Sequence, residues 1–428
     1  MKNHAVLALL VLAVPMAAMG QTSADPGLDE RVRALEAQVQ ALMAEVASLK
    51  AAKALEPAPA PVPSLPTAPE TPSALAAAPT GGGEPHGGPL PVYGGTSSKA
   101  LNPDIGMIGN FLGAVGSSHG GSDSVAPFPA LTLQESEASF QAIVDPYARA
   151  DFFLAIGEEA IEVEEGYITF PTVPGGLLIK AGKMRANFGR LNAFHNHTLP
   201  WVDRPLVMFN LLGGATDDPD TGIKDSGISV SRLIPMGGLF LEATGEVFRG
   251  DSGTLFSSSR RRDVSAVAHL RAYHDLSEST NLEIGGSYTR GHNDQGSEFL
   301  TQLYGADVTL RWRPLRRAIY HSFAGRAELV WSRREEPGGL QKAFGGFASA
   351  DYRLNRRWFL GARYDWSDRA READVRDRGF SVVTTFWPSE FTQIRGQYRR
   401  TRFGDGPPAN EFLFQTLFTI GAHGAHPF

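Results

Sequence analysis

The sequence predicts an all-β protein in which about sixteen antiparallel strands close, in up-and-down order, into a transmembrane β-barrel over residues 101–428. A short α-helical coiled coil and a disordered linker rich in Pro, Ala and Gly are predicted to precede the barrel. Three observations carry this prediction: sixteen β-rich segments, joints that alternate in length, and a last segment with one apolar face. In that last segment Phe412, Phe414 and Phe418 share one parity, and the sequence ends on Phe428.

The first twenty residues have the pattern of a secretory signal peptide. Lys2 precedes an apolar run over residues 5–14, and the small residues Ala18 and Gly20 follow. No other stretch approaches the roughly 18 apolar residues that a membrane-spanning helix needs. We therefore predict a signal peptide over residues 1–20, and we expect any membrane crossing to be made by strands.

Composition narrows the function classes. The 428 residues carry a formal net charge of −6 and include no cysteine. Because the charge is nearly balanced and no basic block is present, nucleic acid is not expected as a partner. The absence of cysteine fits a secreted route, where unpaired thiols are a liability.

Residues 28–53 have a strict heptad pattern. Leucine occupies the d positions from Leu28 to Leu49, and valine occupies the a positions from Val32 to Val46. Such a narrow apolar seam needs a partner helix, so we predict a parallel coiled coil in the periplasm. Val at a with Leu at d favours a dimer, but a trimeric barrel could override that preference; a solitary amphipathic helix is the alternative.

Residues 54–98 are dominated by Pro, Ala and Gly. This composition is too poor in apolar residues to fold, and it predicts an extended, semi-rigid tether. A coiled coil on such a tether could reach the cell wall, which makes peptidoglycan a further candidate partner.

The barrel segments alternate with joints of two kinds. Joints after even-numbered segments are short turns, and most joints after odd-numbered segments are longer and more polar, among them 190–226, 293–298 and 335–340. Short turns on one rim and long loops on the other are typical of outer-membrane barrels. The segments are predicted to begin near Ile105, Leu131, Ala148, Ile161, Leu177, Ile228, Phe240, Ser265, Leu282, Leu303, Phe323, Phe347, Trp358, Phe380, Ile394 and Phe412.

Side-chain alternation assigns the two faces of several segments. In the segment after Leu303, Val308 and Trp312 fall on the apolar face, while Asp307 and Arg311 fall on the polar face. Trp358 and Trp366 also share an apolar face and are predicted to mark the two headgroup boundaries. Glu165 disturbs the alternation in residues 161–170, so the faces of that segment stay unassigned. A soluble β-sandwich would alternate too, but sixteen strands in simple succession favour the barrel.

The most recognisable motif is Gly-Lys-x-x-x-x-Phe-Gly-Arg, from Gly182 to Arg190, followed by residues 195–207. With the heptads and the tether, this segment resembles the Gram-negative outer-membrane porin group that carries an N-terminal periplasmic coiled coil and is related to phosphate-selective porins. The resemblance implies a trimeric channel in the outer membrane, with Gly182–Arg190 leading to a constriction loop. It does not specify the solute.

The polar faces of the strands supply candidate pore-lining residues. Arginine exceeds carboxylate among them, which favours anions in a narrow aqueous pore. The alternative is that arginines and carboxylates brace the lumen as ion pairs. The candidates are Arg149, Asp151, Lys180, Arg271, Asp307, Arg311, Arg313, Arg326, Glu328, Arg363, Asp365 and Arg395, with His269 and Arg399 sharing the predicted face.

The long loop 190–226 supplies candidate constriction residues. These are His195, His197, Trp201, Asp203 and Arg204. A His-x-His pair with a nearby carboxylate could bind zinc, but the sequence does not identify a third ligand. We expect the loop to fold into the lumen and to use these side chains for packing, and we predict neither a metal nor a cofactor.

These features predict a porin that lets small hydrophilic solutes diffuse passively across the outer membrane of a Gram-negative bacterium, with an anion preference as a further expectation. Catalytic motifs such as G-x-S-x-G and H-E-x-x-H are absent, so the protein is not expected to be an enzyme. Two rivals stay open: a substrate-specific or metal-related uptake channel, and a structural tether between outer membrane and cell wall. The expected partners are membrane lipid, lipopolysaccharide and further copies of the chain, with a trimer favoured.

Overall fold

The computed structural model describes most of the predicted barrel. The predicted signal peptide (1–20), coiled coil (28–53) and tether (54–98) lie outside the described residues and stay predictions. The described residues are 103–117, 131–157, 160–213 and 222–421.

Sixteen antiparallel strands form one closed barrel. Each strand pairs with its neighbours in sequence, and β1 pairs with β16 to close the ring. The predicted number, order and topology of the strands are confirmed. The strands are β1 (Asp104–Gly116), β2 (Leu131–Asp145), β3 (Ala148–Ile156), β4 (Ile161–Val173), β5 (Leu177–Arg185), β6 (Lys224–Met236), β7 (Leu239–Phe248), β8 (Ser265–Ser277), β9 (Thr280–Asn293), β10 (Gly296–Trp312), β11 (Ser322–Glu336), β12 (Gly339–Arg353), β13 (Trp358–Asp368), β14 (Arg376–Ser389), β15 (Thr392–Arg402) and β16 (Ala409–Gly421).

Some joints differ in length from the prediction. The joints expected at 293–298 and 335–340 are tight turns, because β9 to β12 continue through polar residues up to them. Polar side chains do not end these strands, since the ladder hydrogen bonds come from the backbone and the inward face of the barrel is polar. Conversely, the joint 313–321, expected to be a short turn, is one of the longer ones. The alternation of short and long joints therefore holds only in part.

The outward face of the barrel is apolar. Phe412 is 66% exposed and Ile420 is 62% exposed on β16, while the alternating side chains Leu413 and Leu417 are 2% exposed. The same alternation places Trp358 outward on β13. A continuous apolar outer face on a closed barrel is the surface that lipid requires. None of the helices in the described ranges is long and apolar enough to cross a membrane.

A β-bulge in β4 explains the unassigned faces of residues 161–170. Phe153 pairs with Glu165, but its neighbour Leu154 pairs with Val163, so Glu164 is an extra residue in β4. Both glutamates consequently lie on the inner side of the barrel, where Glu164 is 2% and Glu165 is 3% exposed.

The interior of the barrel contains a long folded loop. We call residues 186–223, between β5 and β6, the lumen loop; residues 214–221 of it are not described. It includes two 3₁₀ turns (Leu191–Ala193 and Asn196–Thr198) and one short helix, α1 (Leu206–Leu211). Helix α1 packs against strands β11 to β14. The joint between β5 and β6 therefore runs over residues 186–223, where the sequence predicted a loop over 190–226.

An apolar core forms where the lumen loop meets the barrel wall. The Trp201 ring is fully buried and contacts Phe347 of β12 edge-on, with 5.5 Å between ring centroids. Met208 and Leu211 of α1 are also fully buried in this cluster, which Val330 and Val383 complete from the wall. Burial of this apolar surface holds the loop inside the barrel.

Candidate functional site

The first and last residues of the lumen loop are hydrogen-bonded to each other. The Ala186 amide donates to the Ile223 carbonyl at 2.9 Å. The Asn192 side chain, which is fully buried, donates to the carbonyls of Ala186 (2.7 Å) and Ile223 (2.9 Å) and accepts from the Ile223 amide (2.7 Å). Asn192 therefore closes the base of the loop and fixes the direction in which it enters the lumen.

Asp203 anchors the loop to one side of the wall. Its carboxylate accepts from Arg363 of β13 at 3.0 Å, and from Arg399 (2.8 Å) and Gln397 (2.6 Å) of β15. Burial alone would raise the pKa of Asp203, but the two guanidinium groups outweigh burial and lower it. Asp203 is thus a buried carboxylate held ionised by the wall.

Both wall arginines are paired a second time. Arg363 donates to Asp365 at 2.7 Å, and Arg399 donates to Glu411 at 2.6 Å. The Arg363 guanidinium also lies over the Trp201 ring, 4.8 Å from its centroid. The pairs with Asp365 and Glu411 lie within the wall and orient the two arginines independently of the loop, so the wall offers a preorganised site for Asp203.

Two further arginines support the same side of the loop. Arg395 of β15 donates to the Trp201 carbonyl at 2.9 Å and to Gln415 at 2.7 Å. Within the loop, the Arg204 side chain donates to Asn196 (2.7 Å) and to the Phe194 carbonyl (2.6 Å). Arg204 therefore shapes the loop itself, whereas Arg395 ties it to the wall.

The opposite side of the loop is fixed by Glu328 and Ser287. Glu328 of β11 accepts from the amides of Arg190 and Leu191, each at 3.2 Å, and the Gly189 amide donates to Ser287 of β9 at 2.8 Å. Gly189 has φ +61°, and a Cβ there would lie 2.0 Å from a Glu328 oxygen. Only glycine allows this approach.

A polar cleft lies beside this contact. We call it the constriction cleft; it is formed by Arg190 of the loop and by the wall residues Glu242, Arg271, Glu283 and Asp307. Arg190 and Arg271 form ion pairs with Glu283 and Glu242 respectively. Paired arginines and carboxylates thus line the cleft together, which offers a small charged or polar solute groups of both signs.

A different set of ionisable side chains meets where the loop passes β2 and β4. His195 Nδ1 lies 2.8 Å from Glu137 Oε2 and 3.1 Å from Glu164 Oε2. His197 Nδ1 lies 3.5 Å from the same Glu137 oxygen. Burial alone would lower the pKa of His195, but the charges of Glu164 and Glu137 raise it well above its ordinary value. We call these four side chains the histidine–glutamate cluster.

The predicted site residues fall into three groups. The five constriction residues of the lumen loop lie inside the barrel. Eleven of the twelve predicted pore-lining residues lie on strands, among them Arg149, which pairs with Asp151 at 2.6 Å, and Lys180, which lies 4.8 Å from the Tyr167 ring centroid. Arg313 differs from the prediction: it follows the last residue of β10 and is exposed in the joint 313–321, so it lies at a pore mouth and not on the wall.

Most of the carboxylates in the lumen lie outside the predicted set of pore-lining residues. Arg326 pairs with Asp351 at 2.5 Å, and Arg311 pairs with Glu283 at 3.1 Å. The lumen arginines are therefore largely neutralised by partners, and the predicted excess of arginine does not describe the wall. Extending the alternation along β7, β9 and β12 would have identified several of the missed residues, which are Glu137, Glu164, Glu242, Glu283, Asp351 and Glu411.

No protein-family profile matches the chain. An uncharacterised protein of Aquifex aeolicus is 27% identical over 392 residues, which cover 78% of this chain and 81% of that protein.

The similar solved structures are barrels of the same kind. The anion-selective porin of Comamonas acidovorans aligns with a TM-score of 0.52 at 11% identity, covering 74% of this chain and 99% of that one. The fold of the present chain is therefore that of the outer-membrane porins. A trimeric form of OmpT, an outer-membrane protein of Vibrio cholerae, gives a TM-score of 0.51 at 10% identity over 74% and 99% of the two chains. OprB of Pseudomonas putida gives 0.50 at 10% identity over 76% and 95%.

Proposed function

We propose that this protein is an outer-membrane channel through which small hydrophilic solutes diffuse passively, past a constriction made by the lumen loop. The observation that carries the proposal is a closed barrel with an apolar outside, a polar inside and one loop folded across its interior. Lipid requires the first feature, and a water-filled path requires the second. Its place in the outer membrane and its assembly into a trimer belong to the same proposal.

The contacts of the lumen loop support a narrow path. The loop is bonded to β13 and β15 through Asp203, to β11 through Glu328, to β9 through Ser287, and to β2 through Glu137. These strands lie along more than half of the ring, on the arc that runs from β9 through β16 to β2. A loop that reaches the wall in so many directions leaves little free cross-section, so we infer a small conductance and a low size limit.

The charges suggest where an anion preference would arise. The wall arginines are paired with carboxylates, but two consecutive joints at one rim of the barrel are strongly basic. This is the rim at which β1 begins and β16 ends, and we call it the terminal rim. Its joints 313–321 and 354–357 include five arginines and neither Asp nor Glu. We propose that this rim, which faces the periplasm, attracts anions and gives the channel a weak anion preference.

Solute uptake by liposomes tests the proposed function. Liposomes containing the purified full-length protein should swell in isotonic solutions of small sugars and amino acids, with rates that fall steeply as solute size increases. Liposomes prepared with heat-denatured protein are the control. No swelling with any solute, although the folded protein is present in the membrane, would contradict a passive channel.

The constriction cleft gives some support to the alternative of a substrate-specific channel. In the constriction cleft, arginine and carboxylate are fixed beside each other, which suits a zwitterionic or singly charged solute better than a neutral one. Uptake that saturates with concentration for one solute class would favour this alternative, whereas a rate that rises in proportion to concentration favours passive diffusion.

A further inference from the structure

We propose that the histidine–glutamate cluster holds a binding site for one divalent transition-metal ion, and that the ion fastens the lumen loop to β2. The ligands would be His195 and His197 from the loop and Glu137 from β2, while Glu164 from the bulge of β4 lies 3.1 Å from His195 and orients its ring. The proposal does not rest on the channel function, since the site is defined by its own geometry.

The distances between the donor atoms fit a shared metal ion. Ligand atoms at about 2.0–2.1 Å from a tetrahedral zinc ion lie about 3.3 Å from one another. His195 Nδ1 is 2.8 Å from Glu137 Oε2 and 3.1 Å from Glu164 Oε2. His197 Nδ1 is 3.5 Å from the Glu137 oxygen, and one donor atom each of Glu137, His195 and His197 lie within 4.8 Å of one another. The two separations measured from the Glu137 oxygen, 2.8 Å and 3.5 Å, are therefore close to the spacing of ligands around one ion.

Three side-chain atoms of the cluster are buried, and among the described residues none of them makes a hydrogen bond of acceptable geometry. They are Glu137 Oε2, Glu164 Oε2 and His195 Nδ1. Glu137 is 3% and Glu164 is 2% exposed, so water does not readily solvate either carboxylate. Two carboxylate oxygens converge on one ring nitrogen, and a single N–H can serve only one of them well. A cation bound by Glu137 Oε2 and the imidazole nitrogens would satisfy the Glu137 oxygen and the His195 nitrogen together.

The surroundings leave the proposed ligand atoms available. Arg185 donates to Glu164 through the other oxygen, Oε1, at 3.0 Å, and the Arg185 amide donates to Glu165 Oε1 at 2.8 Å. Arg185 thus orients the carboxylates of the bulge while Glu164 Oε2 still points to His195. Contacts of this kind commonly hold metal ligands in position.

The donor set indicates the class of metal. Two imidazole nitrogens with carboxylate oxygens suit zinc and its neighbours in the transition series, whereas magnesium and calcium prefer oxygen ligands alone. Copper(II) would bind more tightly than zinc, following the usual order of affinities. Because imidazole must be neutral to bind, affinity for zinc should fall as the pH is lowered.

A metal-free explanation also exists and has to be distinguished. A protonated His195 could lie between the two glutamates as an ion pair, with His197 packed beside it. That arrangement needs no metal and does not depend on the His197 ring. His197→Ala and Glu137→Gln therefore separate the two explanations, because each removes a proposed ligand and leaves His195 with at least one carboxylate.

Isothermal titration calorimetry with ZnCl₂ tests the proposal. The full-length protein, purified in detergent without a polyhistidine tag and stripped with a chelator, should bind one Zn²⁺ per chain. His197→Ala and Glu137→Gln should each weaken binding by more than the 10- to 100-fold that changes around metal ligands typically cost. His274→Ala, which alters an exposed histidine at the terminal rim, should bind as the original does, and MgCl₂ should give no signal. Circular dichroism checks that every variant is folded.

Two results would overturn the proposal. The first is the absence of zinc binding by the folded, chelator-stripped protein, which would leave the ion-pair explanation. The second is one-to-one binding that His197→Ala and Glu137→Gln do not weaken, which would place the ion elsewhere. Because binding is measured in detergent, neither result depends on whether the protein conducts solutes.

Discussion

The contacts of Asp203 are a main anchor of the lumen loop. Asp203 is a buried carboxylate shared by two guanidinium groups and an amide, so removing its charge leaves Arg363 and Arg399 partly uncompensated. Breaking a buried ion pair from one side costs about 3–5 kcal/mol. Since the barrel ladder is independent of this contact, most of that cost should be felt by the loop.

The substitution Asp203→Asn should release the loop without unfolding the barrel. Amide hydrogen exchange followed by mass spectrometry should show faster exchange in residues 199–211, with the strands unchanged. Asp405→Asn is a matched control. Asp405 pairs with Arg369 on the surface, where an ion pair contributes about 0–1 kcal/mol. Equal protection of the loop in both variants would contradict the role of Asp203.

The anchoring by Asp203 should also depend on pH. Its pKa is lowered in the folded loop, so the folded state favours the ionised form. The contribution is therefore complete above the ordinary pKa of an aspartate and is lost as the pH falls through the lowered value. Protection of residues 199–211, taken relative to the intrinsic exchange rate at each pH, should fall in acid in the original protein and be less sensitive to pH in Asp203→Asn. An identical pH profile for the two would count against this account.

Gly189 allows the second anchor to form. An alanine there would adopt an unfavourable positive φ and would push against Glu328. Gly189→Ala should destabilise the docked loop by more than about 1 kcal/mol, measurable as increased exchange near residues 187–193. Gly338→Ala in the β11–β12 turn is the control, because no atom lies within 4 Å of the position that its Cβ would take. A neutral effect of Gly189→Ala would show that the loop can dock without Glu328.

At the scale of elements, the sequence predicted the strands better than the contacts of the loop. Strict alternation in segments such as β10 and β13 gave both their faces correctly, because a buried polar and a lipid-facing apolar surface impose a period of two. The bulge at Glu164 broke that period and hid two lumen carboxylates. The ends of β9 to β12 were misplaced because inward polar residues look like loop residues.

The docking of the lumen loop could not be read from the sequence. His195, His197, Trp201, Asp203 and Arg204 were recognised as candidates, but their partners are distant in sequence. Arg399, for example, is 196 residues from Asp203. Such pairs are set by barrel closure and strand register, which a local pattern does not contain. The same limit hides the closeness of Glu137 to His195 and His197, because Glu137 lies on a different strand.

At the scale of the whole molecule, unpaired basic charge among the described residues is concentrated in two consecutive joints of the terminal rim. Arg313, Arg316 and Arg317 lie in the joint 313–321 at the terminal rim, and Arg356 and Arg357 lie in the joint 354–357 beside it. A pore mouth lined by one sign of charge raises the local concentration of the opposite ion. The rim, and not the paired wall, should therefore set ion preference.

Neutralising this rim should reduce the anion preference. In a salt gradient across a planar bilayer, the triple variant Arg313→Ser, Arg316→Ser and Arg317→Ser should shift the reversal potential toward cation preference, and the shift should shrink at high salt because the rim charges are screened. The matched control replaces Arg260, Arg261 and Arg262, which are exposed in the joint at the opposite rim. Equal shifts for the two triple variants would mean that the preference does not arise at the terminal rim.

The central claim is that the lumen loop sets the width of the water path. Single-channel conductance in a planar bilayer tests it most directly when the original protein is compared with Asp203→Asn. The account predicts small, stepwise openings for the original and a clearly larger or more variable conductance once the loop is released. A large conductance that Asp203→Asn leaves unchanged would contradict the claim, and so would an inserted, folded protein that stays silent in both forms.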